Sequence, residues 1–172
     1  MIIEFEQLNE RQKEAIEVYS KIVAYYMNRK LREDTINKPD FIDYVGYAQT
    51  IDSIFTLAPT KPSPQILYRG TQFMDLYNNP IFTEKGFMST SVNENVAQKH
   101  IHKENGVVIK IHLHCSNVKL LEVRSSFEES EYLIPRNTSF KVLYRGEEMN
   151  SKTNQLAPCI GVCPIEISSI YL

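Results

Sequence analysis

The chain has 172 residues, 42% of them hydrophobic and 23% charged, a globular balance in a length sufficient for one domain with a core. A net charge of −2 gives no reason to expect nucleic acid or an anionic membrane as a partner. No apolar run approaches a membrane span, and the start, Met-Ile-Ile-Glu-Phe-Glu, lacks the basic and apolar regions of a secretory signal.

Leu8 to Lys30 contains no Gly or Pro, and Ala15, Ile16, Val18, Tyr19, Ile22, Val23, Tyr26 and Met27 recur at helical spacing, which predicts a long amphipathic helix capped by Asn9. Arg29 to Pro39 is charged and reads as a connector. Asp40 to Leu57 is a second helical stretch, stopped by Pro59, Pro62 and Pro64. From Gln65 the texture changes to short strands: Ile66–Tyr68, Gly86–Ser91, Gly106–His114, Val118–Val123, Glu131–Ile134, Ser139–Arg145 and Pro164–Leu172. Asn93 to His102 reads as a short helix, and Gly146 to Pro158 is polar and loop-like. Helices followed by strands predict an α+β domain over 1–172, with a helical lobe at 1–64 and a β-rich core at 65–172.

Cys115, Cys159 and Cys163 are an odd number of cysteines in a chain without a signal, which argues for reduced thiols in a cytoplasm. Cys159 and Cys163 form one C-x-x-x-C pair with no second pair. His100, His102, His112 and His114 have no local ligand spacing linking them to it, so no metal is expected. No Gly-rich dinucleotide fingerprint and no Walker loop is present, so any nucleotide site is built another way.

Three stretches carry chemistry. Leu67-Tyr68-Arg69-Gly70 puts a guanidinium and a glycine at a strand end. Gly86-Phe87-Met88-Ser89-Thr90-Ser91 is a strand of small polar residues. Phe127-Glu128-Glu129-Ser130-Glu131 places Glu129 and Glu131 on one face if extended, where like charges repel unless something uses them. Taken singly, each has a bland alternative: a surface ion pair for Arg69, a polar sheet edge for Ser89 and Thr90, a solvated acidic edge for the glutamates.

In this order, behind a helical segment, the three stretches from about Ile66 to Val142 resemble the arginine–serine–glutamate group of ADP-ribosyltransferases. The resemblance implies a two-sheet β core with an NAD cleft between the sheets, and NAD as co-substrate. It implies Glu131 as the carboxylate facing the oxocarbenium-like ribose when nicotinamide departs. It assigns Arg69 to the phosphates or ribose, and Ser89 to fixing Glu131, with Thr90 supporting the strand. Gly70 would allow close approach to the nicotinamide, and Phe87 is a candidate cleft wall. Lys103, fourteen positions after Ser89, falls where the binary-toxin branch has a phosphate-contacting basic residue; a solvated loop is the alternative.

Glu129, two residues before Glu131, matches the position whose Glu accompanies transfer to arginine, because a carboxylate can orient a guanidinium and help remove its charge. The toxin branch often has an aromatic residue for recognising the target five before the catalytic Glu. That position is Ser126 here, and Phe127 follows it. The expected function is mono-ADP-ribosylation of a protein acceptor, on arginine, by a monomer acting in a cytoplasm, its own or a host's. NAD glycohydrolysis and a catalytically silent binding module of the same fold are the alternatives.

Overall fold

The computed structural model describes residues 1–72, 78–101, 106–114, 116–123, 131–149 and 156–166. Asn9 caps the first helix as its sequence suggests: its side chain accepts from the Gln12 N–H at 2.9 Å, while the Gln12 side chain accepts from the Asn9 N–H at 3.1 Å. The predicted single helix is interrupted. Helix α1 (Glu10–Val18) passes through a π-helical turn, Tyr19–Val23, into α2 (Ala24–Arg32). Such turns are often found at functional sites. Helix α3 (Tyr44–Ile54) starts at an Asp43 cap, and α4 (Glu94–Lys99) at an Asn93 cap.

Among the described residues, nine strands follow the sequence order β1 (Ile2–Ile3), β2 (Ile66–Thr71), β3 (Ile81–Glu84), β4 (Met88–Ser91), β5 (Val107–His112), β6 (Leu120–Val123), β7 (Glu131–Ile134), β8 (Thr138–Met149) and β9 (Leu156–Ile165). They form one mixed sheet in the order β1-β6-β7-β4-β2-β5-β9-β8-β3. The expectation of two separate sheets is therefore corrected, because β2 pairs with both β4 and β5 and joins the halves.

That one sheet folds over on itself. Only residues 135–137 connect β7 to β8, a reach of about 14 Å at full extension. Yet β7 and β8 stand five neighbours apart in the sheet, about 24 Å along a flat one. The short connection closes only if the two halves face each other. Side chains from both halves of the sheet, among them Ile2 and Leu120 from one and Ile109, Val162, Phe140 and Phe82 from the other, accordingly share one core cluster. The opposite face of β4, β6 and β7 contributes Phe87, Leu121, Val123 and Leu133 to a second cluster with Ile16, Tyr19, Met27, Leu31 and Ile51 of the helices.

Several predicted boundaries differ: α2 runs to Arg32 into the expected connector, and the strand expected at Pro164–Leu172 is the end of β9, which stops at Ile165, with 167–172 outside the described residues. The segment Gly146–Pro158, expected as a loop, contributes residues 146–149 and 156–158 to the long β8–β9 pair; these residues are exposed or half-buried and so lack an apolar alternation to read. Strand β3 went unpredicted because its inward residues are Phe82 and a carboxylate, Glu84, which is 2% exposed.

Candidate active site

Strands β2 and β4 pair only at Tyr68 and Ser91. Where they part, a cavity of about 600 Å³ opens, lined by residues of the π turn, α2, β2, β4, α4 and the first residue of β7. That volume lies within the usual range for ligand sites, about 300–1,000 Å³.

The strand wall holds Arg69, Ser89 and Glu131 together. Arg69 Nη1 donates to the Ser89 carbonyl at 3.0 Å, so a side chain spans the gap between the parted strands. Arg69 Nε is buried and has no hydrogen-bond partner among the described residues. An orphaned charged donor is costly unless a ligand satisfies it. Arg69 is half-buried, and no ion pair holds it among the described residues. On β4, Ser91 lies directly opposite Glu131 and Ser89 opposite Leu133, so Glu131 is flanked by Ser91 across the ladder and Ser89 on the diagonal. Ser91 Oγ accepts from the Asn93 N–H at 3.0 Å, holding the entrance to α4.

Of the other sequence candidates, Thr90 and Gly70 also line the cavity. Thr90 is buried, and its hydroxyl donates to the Tyr132 carbonyl at 2.7 Å, tying β4 to β7. Gly70 lines the cavity, but what requires a glycine there is helix packing: a Cβ would lie 2.0 Å from the Ala97 carbonyl oxygen of α4. Phe87 is fully buried in the helical cluster, edge-on to Tyr19 with centroids 5.9 Å apart, and stands behind the cavity lining. Glu129, Phe127 and Lys103 lie outside the described residues.

The helix wall was missed in the sequence. It presents Tyr19, Ala24, Tyr25, Asn28 and Arg32. Arg32 grips Glu84 through two bonds, Nε to Oε1 at 2.8 Å and Nη2 to Oε2 at 3.1 Å, and Glu84 Oε1 also accepts from the Gly86 N–H at 2.8 Å. Asn28 Nδ2 donates to the Tyr19 hydroxyl at 2.9 Å and to the Phe87 carbonyl at 3.0 Å, while its Oδ1 accepts from the Phe87 N–H at 2.8 Å. Burial pushes the Tyr19 phenol above its usual range, against the neighbouring Asn28, Arg69 and Ser89. The available signal was a polar residue, Asn28, inside the apolar stripe that includes Met27 and Leu31.

The sequence pattern of the ADP-ribosyltransferase exoenzyme family matches residues 4–157. The chain belongs to this family. Solved structures agree on the fold. Plx2a, an ADP-ribosyltransferase toxin from Paenibacillus larvae, is 19% identical, with 94% of this chain and 89% of that chain covered at a TM-score of 0.71. The Vis toxin of Vibrio splendidus is 21% identical over 96% of this chain and 78% of its own, at 0.65. Exoenzyme S of Pseudomonas aeruginosa, solved with human 14-3-3 protein beta and Carba-NAD, is 16% identical over 94% and 78%, at 0.70. No curated protein sequence matches the chain.

Family membership makes this an NAD-dependent transferase of ADP-ribose, with NAD as co-substrate. The residues present fit an anionic dinucleotide. The cavity has the volume of a ligand site, and its strand wall offers a buried guanidinium N–H without a partner.

Proposed function

We propose that the chain is a single-domain mono-ADP-ribosyltransferase that modifies a protein on arginine, in its own or a host's cytoplasm. The observation that supports this best is the convergence of Arg69, Ser89 and Glu131 on one cavity, with Arg69 Nε awaiting an acceptor. Bound NAD supplies the ADP-ribosyl group and the nicotinamide that leaves. Arg69 holds its phosphates or ribose through the rigid fork of donors a guanidinium presents. Glu131 places a fixed negative charge where positive charge develops on the ribose, in a site partly closed to water. Ser89 and Ser91 restrict the orientation of Glu131 from the neighbouring strand. Lys103 adds a second phosphate contact. Glu129 receives the guanidinium of the acceptor, and Phe127 packs on the acceptor protein.

The test is incubation with NAD, alone, with agmatine as a small guanidinium acceptor, and with a protein extract. Release of nicotinamide together with labelled agmatine and labelled protein is expected. Nicotinamide release that no acceptor alters would make the protein an NAD glycohydrolase, and none at all would make it a binding module.

A further inference from the structure

We propose that Lys110 is a positioning residue for NAD, seating Tyr68 and α4 against the cavity from a place outside its lining. This rests on reading the cavity as the NAD site. A cross-strand row leads from the site to this lysine. Glu131 of β7 stands opposite Ser91 of β4, Ser91 opposite Tyr68 of β2, and Tyr68 opposite Lys110 of β5. Residues directly opposite in an antiparallel pair share a face and meet side by side. Glu131, Ser91 and Tyr68 line the cavity, and Lys110 stands next in the row, behind them.

The Lys110 side chain is 16% exposed, so its charge needs partners within the protein. Carboxylates from two other elements supply them. Glu148 of β8 pairs with the ammonium, and Glu94 Oε2 of α4 lies 3.8 Å from it. Strand β9 runs between β5 and β8, and on the face it shares with Lys110 it carries the small side chains Ala157, Cys159 and Gly161, across which Glu148 reaches. Glu94 is the first residue of α4, whose Val96, Ala97 and His100 line the cavity. The ammonium also lies 5.6 Å from the centre of the Tyr68 ring, within the range of cation–π attraction. One ammonium thus fixes two parts of the lining, the Tyr68 ring and α4. Without it, Glu94 and Glu148 face each other as like charges, and both parts are released.

The experiment measures nicotinamide release against NAD concentration, alongside thermal unfolding, for Lys110→Met, Lys110→Arg, Glu148→Lys and Lys119→Met. Lys119 is half-buried, donates to the Leu57 carbonyl at 2.9 Å and does not line the cavity, so it serves as the purely structural control. Lys110→Met keeps the apolar stem and removes the charge. It is expected to raise KM for NAD about three- to thirtyfold, the scale of a lost cation–π contact and its tether. Because Lys110 touches no reacting bond, kcat should stay within about twofold. Lys110→Arg returns a cation to the same ring and carboxylates, and should bring KM back to within about threefold of the unaltered chain. Glu148→Lys sets a second cation beside Lys110 and drives it from the ring, and should raise KM in the same sense. Lys119→Met should melt earlier with KM unchanged. An unchanged KM in folded Lys110→Met would leave the lysine a role in stability alone, and overturns the inference. So does a lowered kcat at unchanged KM. If Lys110→Met does not fold, an unchanged KM in folded Glu148→Lys overturns it. All three results leave the NAD reading of the cavity standing. If the unaltered chain releases no nicotinamide, it is that reading that fails, and this inference falls with it.

Discussion

The two walls of the cavity are both polar, and they use polarity in opposite ways. On the helix wall, Asn28 has both donors engaged and Arg32 is doubly bonded to a buried Glu84. These groups join α2 to the β3–β4 turn, and their hydrogen-bonding capacity is directed into the protein. On the strand wall, among the described residues, Arg69 keeps a buried N–H without a partner, and the Glu131 side chain has no hydrogen-bond or ion-pair partner. A buried donor left open costs about 1–3 kcal/mol, which a fold retains at a place where something else binds. Two arginines in one cavity thus differ in kind, one closed by a carboxylate and one open.

If that contrast is right, the largest effect belongs to Glu131. Glu131→Gln keeps the shape and removes the charge. Nicotinamide release and transfer should both fall about a hundred- to a thousandfold, with the melting temperature unchanged. Near-normal release would move the role to Glu128 or Glu129.

Glu129→Gln should separate two readouts that Glu131→Gln lowers together. Glu131 faces the ribose, which every acceptor requires, whereas Glu129 is assigned to the incoming guanidinium. Transfer to agmatine or protein should drop about a hundredfold, while hydrolysis of NAD by water persists. A joint fall would put Glu129 in the NAD site, and no fall would point to an acceptor other than arginine.

The arginine pair tests the walls directly. Arg69→Ala should weaken NAD binding by about 1.5–3 kcal/mol, roughly ten- to a hundredfold, and leave stability nearly intact. Arg32→Ala should do the reverse in emphasis. It strands Glu84, 2% exposed, and should destabilise the fold by about 3 kcal/mol, a loss of about 10 °C in Tm. Equal losses of affinity and of stability in both variants would erase the distinction between the walls.

The open wall was the legible one. Arg69, Ser89 and Glu131 stand in three short stretches that are each bland alone; their order along the chain carries the resemblance, and the structure brings all three to one cavity. Most of the helix wall was not legible, because its residues gain meaning only across the fold. Asn28 reads as an interruption of an apolar stripe until Phe87 lies against it, fifty-nine positions away. Glu84 reads as a surface carboxylate until Arg32 arrives from α2. Gly70 was noticed, but the reason for it, the Ala97 carbonyl, comes from a helix that the sequence does not place. The same holds for the sheet. Individual strands follow their alternation, whereas the union of two halves into one sheet depends on a single pair, Tyr68 with Ser91, that no local pattern encodes.

The smallest expected effect lies on neither wall. His112, on β5, faces His114, Lys110 and the Tyr144 hydroxyl of β8, the last at 3.3 Å. Burial, then His114 and Lys110, hold its pKa below the ordinary value of 6.5. In the window between the lowered value and 6.5 the unfolded chain binds more protons than the folded one. Stability contributed by this group is therefore fully present above 6.5 and is lost as pH falls through the lowered value. The difference is at most one proton, so the slope of stability against pH stays below about 1.4 kcal/mol per pH unit, and exposure reduces it further. His112→Gln should flatten that slope in unfolding curves taken between pH 7 and pH 5, and should leave kcat and KM for NAD unchanged. Because His112 does not line the cavity, a change in either kinetic constant would show that the outer face of β5 communicates with the strand wall through Lys110, whose ammonium lies 5.6 Å from the ring of cavity-lining Tyr68.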